Sequence, residues 1–267
     1  MTPKILYADL DGTLLGPGGS LFATRNGPTL SAAEAIARLA EHGVRLVLVS
    51  GRTRDQLHEI ARLLGATAYI AELGAIIVVR GSPDEVHRDF GSFEGPGGPF
   101  KEMVRSGAGA FLLERYSGSL ELHTPWALQP REATMLFRGF LDLTDANAAL
   151  ENADYTWLTL HDNGIIRREF PSLDVPEVHA YHLAPKGVSK AAAVRRHLEI
   201  ERASPANSAA VGDSMSDLEL APEVGRLFLV ANAGPGPAAA LPSNARMLAG
   251  EFGEGFAEAV REFLDSE

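Results

Sequence analysis

Acidic and hydroxyl side chains recur directly after short apolar runs in this chain. Asp9-Leu10-Asp11-Gly12-Thr13 follows the first run, Ser50-Gly51-Arg52 follows the second, and Gly212-Asp213-Ser214-Met215-Ser216-Asp217 follows a later one. Each apolar run predicts a buried strand, and the functional site of an open α/β sheet lies outside the carboxyl ends of its strands. Their shared placement predicts that the three segments contribute to one polar site.

Four aspartates are candidates for that site: Asp9, Asp11, Asp213 and Asp217. Asp9 and Asp11 can face the same cleft if the chain bends after the strand, and Gly12 permits such a bend. Neighbouring carboxylates repel each other, so they ionise together most readily beside a cation. The candidate ligands are all carboxylates and the chain has no cysteine; such an all-oxygen set predicts Mg²⁺ as cofactor. For Asp9 and Asp11 alone, a strand end followed by a surface turn is the alternative.

The chain resembles the haloacid dehalogenase superfamily of phosphatases at four motifs. Asp9-Leu10-Asp11-Gly12-Thr13-Leu14-Leu15 resembles the signature loop, Ser50-Gly51-Arg52 the second motif, Lys190 the third, and Gly212-Asp213-Ser214-Met215-Ser216-Asp217 the fourth. Their order and spacing fit along the whole chain, and the Asp-x-Asp-Gly-Thr element is highly specific. Because dehalogenase relatives lack the second carboxylate of the signature loop, the resemblance implies a phosphatase.

The resemblance implies a role for each carboxylate. Asp9 would be the nucleophile that forms an aspartyl-phosphate. Asp11 would be the general acid for the leaving oxygen and then the base for the hydrolytic water. Mg²⁺ would be held by the Asp9 side chain, the Asp11 backbone carbonyl and Asp213. Asp217 would support the metal, either as a direct ligand or by holding the residues around the metal ligands in place.

Phosphate contacts are also implied by the resemblance. Ser50 and the Lys190 ammonium would hold the transferring phosphoryl group, helped by backbone N–H groups near Asp11 and Gly12. Lys190 fits the family's Gly-x-x-Lys pattern and is therefore favoured over Lys186, for which a solvated loop lysine is the alternative.

Some motif positions have less defined roles. Gly51 and Arg52 complete the second motif, and Arg52 either contacts phosphate or substrate or simply begins the next helix. Asn232 matches a family Asn-Ala step and is predicted to bond the phosphate loop or the metal-site carboxylates. The chain departs from the family at Leu73 and at Ser216, where asparagine is common.

Strand–helix alternation appears in two stretches that flank a less regular middle. The β-α-β-α-β order of the first stretch implies a parallel, doubly wound sheet, and the alternation returns after Pro185. In between, Tyr155–Leu160, the turn residues Asp162-Asn163-Gly164, and Ile165-Ile166 predict a β-hairpin. We therefore predict an α/β fold with a Rossmann-like core formed by residues 1–81 and 184–267, and an inserted α+β domain at 82–183.

The insertion lies between the second and third motifs. This position resembles the C2-type cap of the Cof-like and sucrose-phosphate phosphatase-like group. The resemblance implies a mobile cap that closes over small phosphorylated metabolites, often sugars.

Composition argues against several classes of partner. The formal net charge is −11, so the chain lacks the basic surface that a nucleic-acid binder uses and repels anionic lipid. No apolar stretch approaches the length of a membrane span, and the N-terminus lacks the apolar core of a signal peptide. The absence of cysteine fits a reducing compartment. We therefore expect a cytoplasmic protein with no nucleic-acid or membrane partner.

These features together predict a Mg²⁺-dependent phosphatase that acts on a small phosphate ester, such as a sugar phosphate. A phosphomutase that uses the same aspartyl-phosphate is the alternative within enzymes. A non-catalytic protein that only binds a phosphorylated ligand is the alternative outside them. A pure binder has no need of Asp11 as an acid, so the complete carboxylate set favours an enzyme.

Overall fold

The computed structural model describes residues 3–166, 168–233 and 241–265. The strands are β1 Ile5–Asp9, β2 Ala23–Thr24, β3 Gly27–Pro28, β4 Arg45–Val49, β5 Ala68–Ala71, β6 Ile76–Val79, β7 Glu85–Arg88, β8 Leu120–Leu122, β9 Met135–Gly139, β10 Leu158–Ile165, β11 His179–Pro185, β12 Ser208–Gly212, β13 Arg226–Leu229 and β14 Ala245–Met247. The helices are α1 Ser31–Glu41, α2 Arg54–Leu64, α3 Pro99–Ser106, α4 Ala108–Arg115, α5 Leu143–Asn152, α6 Lys190–Ile200, α7 Met215–Leu218 and α8 Phe252–Leu264. The Gly/Pro/Ala run at 234–240, predicted as a loop, lies outside the described residues.

Eight strands form the larger sheet, in the order β14-β13-β12-β1-β4-β5-β6-β7. Neighbouring strands from β14 to β5 are parallel, and β6 runs antiparallel to β5. The chain reverses at β6 because the short turn Glu72–Gly74 separates the two strands, whereas a parallel crossover needs a dozen or more residues. The parallel-dominated sheet confirms the predicted α/β class.

Strand β1 lies inside the larger sheet and is buried along its whole length. This burial explains why Ile5-Leu6-Tyr7-Ala8 is continuously apolar instead of alternating. Asp9 pairs with Val49 on β4, and Ala8 pairs with Val211 on β12. The carboxyl ends of β1, β4 and β12 therefore meet at one edge of the sheet, which places the residues that follow them side by side.

The chain divides into two compact units, residues 1–87 with 189–267 and residues 88–188. These boundaries differ by five or six residues from those that the sequence pattern predicts. Strand β7 extends the larger sheet to Arg88, and β11 continues the smaller sheet to Pro185. Strand pairing at both junctions therefore moves the division along the chain.

The second unit contains a separate antiparallel sheet in the order β10-β11-β9-β8, together with α3, α4 and α5. The predicted hairpin across Asp162-Asn163-Gly164 is wrong, because β10 runs through these residues and pairs with β11. The Asp162 carboxylate accepts a hydrogen bond from the Gly164 N–H at 2.8 Å, and the strand register shifts between Asp162 and Ile165. The turn-forming residues thus make a local irregularity within a strand.

None of the helices within the described residues combines the length and the apolar character that crossing a lipid bilayer requires.

Tyr7 and His197 form a buried polar pair inside the first unit. The Tyr7 hydroxyl lies 2.9 Å from His197 Nδ1, and both side chains are fully buried. Burial lowers the pKa of His197 to about 4, and the nearby Arg45 and His87 act in the same direction. Glu201 faces the other ring nitrogen at 3.9 Å and is itself paired with Arg45. His197 is therefore neutral in the folded protein near pH 7.

We expect the stability of the protein to fall on acidification through His197. The unfolded histidine, with an ordinary pKa of 6.5, binds a proton well above the folded pKa of about 4. The free energy of unfolding should therefore decrease by about 3 kcal/mol between pH 7 and pH 4 on account of this residue. Urea unfolding across that range, compared with the His197→Asn variant, isolates the contribution. Equal pH dependence in the two proteins would contradict it.

Candidate active site

The signature loop turns sharply at the end of β1. Asp9 is the last residue of the strand and is 7% exposed. Gly12 has a φ of +90°, and a Cβ at this position would lie 2.0 Å from Asp213 Oδ2. Its N–H donates to the Leu15 carbonyl at 3.1 Å, so the loop itself uses this donor. Gly12 thus contributes a left-handed turn and room for the Asp213 carboxylate.

Ser50 follows β4 and is buried beside this loop. Its hydroxyl accepts a hydrogen bond from the Arg52 N–H at 3.3 Å, which closes a short turn through Gly51. Helix α2 begins only after Thr53, whose hydroxyl caps it by accepting from the Gln56 N–H. The second motif is therefore a loop at the sheet edge, and Arg52 lies outside the helix.

Arg52 holds the carboxylate of Asp11 with two hydrogen bonds. Its Nε lies 2.8 Å from Asp11 Oδ2 and its Nη2 lies 2.6 Å from Asp11 Oδ1. A guanidinium that binds both oxygens fixes the plane of a carboxylate as well as its position. The sequence predicted phosphate, substrate or helix roles for Arg52 and missed this partner.

Lys190 is the first residue of α6 and is 4% exposed. Its ammonium lies 2.8 Å from Asp9 Oδ1 and 2.8 Å from Asp217 Oδ1. Burial by itself lowers the pKa of Lys190, but attraction to Asp217 and Asp9 outweighs burial and raises it. The competing Lys186 belongs to the second unit, where its partly exposed ammonium pairs with Glu151.

Asp217 is fully buried behind the loop that follows β12. Its Oδ2 accepts from the Asp213 N–H at 3.1 Å, the Ser214 N–H at 3.0 Å and the Ser214 hydroxyl at 2.7 Å. With Lys190 on Oδ1, four donors meet the roughly four lone-pair positions of a carboxylate. Gly212 makes this possible, since a Cβ there would lie 2.3 Å from the Asp217 carboxyl carbon.

One carboxylate oxygen each from Asp9, Asp213 and Asp217 lies within 4.8 Å of the others. Burial raises the pKa of Asp9 to about 7, and repulsion from Asp217 and Asp11 adds to the rise while Lys190 opposes it. Burial, followed by repulsion from Asp9 and Asp217, raises the pKa of Asp213 well above its usual range. The crowded all-oxygen donor set thus fits a hard divalent cation, which would relieve the repulsion.

Asn232 joins the signature loop to the start of α8. Its side-chain N–H donates to the Gly12 carbonyl at 2.8 Å, and its Oδ1 accepts from the Phe252 N–H at 2.8 Å. The amide thus bonds the backbone of the signature loop, one of the two partners that the sequence predicted for it.

The turn after β5 packs against this site through backbone contacts that the sequence did not predict. Glu72 and Leu73 both have left-handed backbone conformations, with φ of 49° and 59°. Their N–H groups donate to the Arg52 carbonyl at 3.0 Å and the Ser50 carbonyl at 3.2 Å. Asparagine tolerates this conformation better than leucine, so the residue type common at position 73 in the family suits the backbone there. Gly74 is the residue in the sequence that marks this close packing, because a Cβ there would lie 2.2 Å from the Ser189 carbonyl oxygen.

A family model of haloacid dehalogenase-like hydrolases matches residues 6–87 and 150–241. The chain is 27% identical to a phosphoglycolate phosphatase of Methanoculleus marisnigri, over 97% of this chain and 96% of that protein. It is 24% identical to a phosphoglycolate phosphatase of Metallosphaera sedula, over 87% of each chain. The fold is similar to that of a Synechocystis sucrose-phosphatase solved with sucrose and phosphate, at a TM-score of 0.64, 15% identity and 98% coverage of both chains.

These findings confirm the resemblance on which the sequence prediction rests, including the enzyme class of phosphoric monoester hydrolases. The family match covers both parts of the chain that carry the four motifs. The chain belongs to the haloacid dehalogenase-like hydrolase family.

Proposed function

We propose that this protein is a Mg²⁺-dependent phosphatase that hydrolyses a small phosphorylated metabolite through an aspartyl-phosphate at Asp9. The observation that carries the proposal is the environment of the Asp9 carboxylate. It lies at the carboxyl edge of the sheet, 2.8 Å from the Lys190 ammonium and close to the Asp213 and Asp217 carboxylates. A carboxylate held beside an ammonium and a cation site is suited to attack an anionic phosphate ester.

In the first step, a carboxylate oxygen of Asp9 bonds to phosphorus while the bond from phosphorus to the ester oxygen breaks. Asp11 donates a proton to the departing oxygen, so that an alcohol leaves instead of an alkoxide. The Lys190 ammonium and the Ser50 hydroxyl hold the phosphoryl oxygens during transfer, when charge stabilisation matters most.

In the second step, water attacks the phosphorus of the aspartyl-phosphate, and Asp11 accepts the proton from that water. This step regenerates the Asp9 carboxylate and releases inorganic phosphate. In this step Arg52 orients the ionised Asp11 through its two hydrogen bonds of 2.8 and 2.6 Å. In the first step one Asp11 oxygen carries the proton that it donates, so only the other oxygen accepts from Arg52. Its role is thus to position the acid–base group.

Mg²⁺ would be held by the side chains of Asp9 and Asp213 and by the Asp11 backbone carbonyl. The four donors on the Asp217 carboxylate support a role behind the ligands, where it orders Lys190 and the loop after β12. When bound, the ion neutralises phosphate charge and offsets the repulsion among the carboxylates.

The substrate is proposed to be a small phosphomonoester. Two curated relatives that span most of the chain are phosphoglycolate phosphatases, which supports phosphoglycolate as the first compound to test. Sugar phosphates form the second group, as the sequence resemblance implies. Release of inorganic phosphate from a panel of phosphoglycolate, sugar phosphates and nucleotides measures the specificity.

The Asp11→Asn variant is expected to trap the enzyme halfway through the reaction. p-Nitrophenolate is a good leaving group that needs little help from an acid, so Asp9 should still become phosphorylated. Hydrolysis of the intermediate should slow roughly a hundredfold or more without the base. Rapid mixing with p-nitrophenyl phosphate should therefore show a burst of about one equivalent of p-nitrophenolate, followed by slow turnover.

Asp265→Asn provides the matched control for this experiment, since Asp265 is an exposed residue that follows α8. It should show wild-type steady turnover. A slow reaction of the Asp11→Asn variant with no burst would contradict the acid–base role. Conversion of a sugar phosphate to its isomer without phosphate release would instead indicate a mutase, and binding without any turnover across the panel would indicate a phosphate-binding protein.

Removal of divalent cations is expected to lower kcat by at least about a hundredfold, because several kcal/mol of charge stabilisation are lost. Mg²⁺ added after EDTA treatment should restore turnover. Mg²⁺ should also raise the melting temperature of the wild-type protein, since a ligand that binds only the folded state stabilises it. The Asp213→Asn variant should show a much smaller rise. Full activity in excess EDTA would contradict the proposed metal site.

A further inference from the structure

Tyr7 and His197 are buried polar groups that the proposed mechanism does not use. Their 2.9 Å contact joins β1 to α6, and their rings meet edge to face with centroids 5.6 Å apart. Both residues lie within or beside an apolar cluster that includes Val47, Val194 and Leu198. Burying polar groups costs desolvation that an apolar pair of similar size avoids. What the pair provides in return is a contact with a defined direction and distance.

The same two elements carry Asp9 and Lys190. Tyr7 stands two residues before Asp9 on β1, so both side chains point to one face of the sheet. His197 stands about two helical turns after Lys190 on α6, so both side chains lie on one side of the helix. Strand and helix are thus joined by two polar contacts, one in the active site and one beneath it.

The remaining buried surface of α6 is apolar and includes Ala193, Val194 and Leu198. Apolar burial stabilises the packing of the helix on the sheet but has no preferred direction. A hydrogen bond, in contrast, weakens steeply when its geometry changes. The Tyr7–His197 contact therefore resists the shift that would draw the Lys190 ammonium away from Asp9.

We propose that Tyr7 and His197 are positioning residues that set the register of α6 against β1 and so place Lys190 on Asp9. The inference rests on the proposed phosphatase function for its kinetic consequences. Its structural consequence, the position of the Lys190 ammonium, does not depend on that function.

Tyr7→Phe tests the proposal because it removes only the hydroxyl. Tyr69→Phe is the matched control: Tyr69 is buried on β5 of the same sheet and its ring contacts His58 of α2. We expect Tyr7→Phe to lower kcat for the best substrate roughly tenfold to a hundredfold, at a temperature where circular dichroism shows a fully folded protein. Tyr69→Phe should stay within about twofold of wild type.

A double-mutant cycle with Lys190→Ala distinguishes positioning from a general loss of stability. If Tyr7 acts through Lys190, Tyr7→Phe should have no further effect on single-turnover rates once Lys190 is absent. His197→Asn, whose amide can occupy the place of Nδ1, should retain more activity than His197→Leu. If the rate loss in the double variant equals the product of the losses in the two single variants, the proposal is overturned. It is also overturned if Tyr7→Phe lowers the melting temperature but leaves kcat unchanged.

A crystal structure of Tyr7→Phe provides a readout that needs no activity. We expect the Lys190 ammonium to move out of hydrogen-bond distance from Asp9 Oδ1, which is 2.8 Å in the wild-type protein. An unchanged distance would overturn the proposal even if the protein is an active phosphatase. If wild-type protein hydrolyses no phosphate ester, the proposed function fails and the structure of the variant still decides the positioning role.

Discussion

Replacing Asp9 with asparagine is expected to lower kcat roughly 10⁴-fold or more, because losing the nucleophile removes the covalent route. Asparagine keeps the shape of the side chain, so substrate should still bind. The measurement is phosphate release from the best substrate, with Asp265→Asn as the control that changes the same chemical group at an exposed position. Turnover of Asp9→Asn near the wild-type rate would contradict the assignment of the nucleophile.

The stability of the Asp9→Asn variant should equal or exceed that of the wild type. Burial and neighbouring carboxylates raise the pKa of Asp9 to about 7, which shows that its charged form is unfavourable in the folded protein without a bound cation. The neutral amide removes this repulsion, and the Lys190 ammonium keeps its 2.8 Å contact with Asp217. Thermal unfolding in EDTA measures the difference. A large loss of stability would mean that the low activity reflects misfolding.

Replacing Lys190 with methionine is expected to lower both activity and stability. Loss of the ammonium should reduce kcat roughly 10²- to 10³-fold, as for the removal of one charge-stabilising donor from an active site. It also leaves the buried Asp9 and Asp217 carboxylates without their cation, which should cost about 3–5 kcal/mol in the free energy of unfolding. Steady-state kinetics and urea unfolding in EDTA test the two effects.

Lys186→Met is the matched control, because Lys186 is the neighbouring lysine that the sequence pattern disfavours for this role. The side chain of Lys186 is 41% exposed and its partner Glu151 is 49% exposed, so the change should alter stability by about 0.5 kcal/mol or less. The double variant Asp9→Asn/Lys190→Met should recover part of the stability that Lys190→Met loses, since one of the two unpaired charges is gone. Equal losses in Lys186→Met and Lys190→Met would contradict the burial argument.

The sequence predicted those parts of the fold that depend on local patterns. The apolar run before Asp9 predicts a buried strand, and the structure has β1 at Ile5–Asp9. The β-α-β-α-β order of the first stretch implies a parallel sheet, and β1, α1, β4, α2 and β5 have this order with parallel strand pairing. The hairpin prediction failed because Asp162-Asn163-Gly164 has the composition of a turn, while pairing with β11 holds it in a strand. Tertiary context outweighed local propensity there.

Contacts between distant residues were beyond sequence reasoning. The Arg52–Asp11 ion pair spans 41 positions and the Tyr7–His197 contact spans 190, so neither leaves a local pattern. The motifs bring Asp9, Ser50 and Asp213 to one sheet edge because the parallel strands β1, β4 and β12 end there together, and Lys190 reaches Asp9 from the first turn of α6. The conformation of Leu73 is also invisible in the sequence, since leucine rarely adopts the left-handed region that the structure shows.

The central claim is that the Asp9 carboxylate becomes phosphorylated in each catalytic cycle. Sodium borohydride reduces an acyl phosphate to an alcohol, which converts a phosphorylated aspartate into homoserine. We would quench the Asp11→Asn variant during the p-nitrophenyl phosphate burst, reduce it, and locate the modified residue by tandem mass spectrometry. The proposed mechanism predicts homoserine at position 9 and at no other aspartate. An unmodified Asp9 after a full burst, or homoserine at another aspartate, would contradict it.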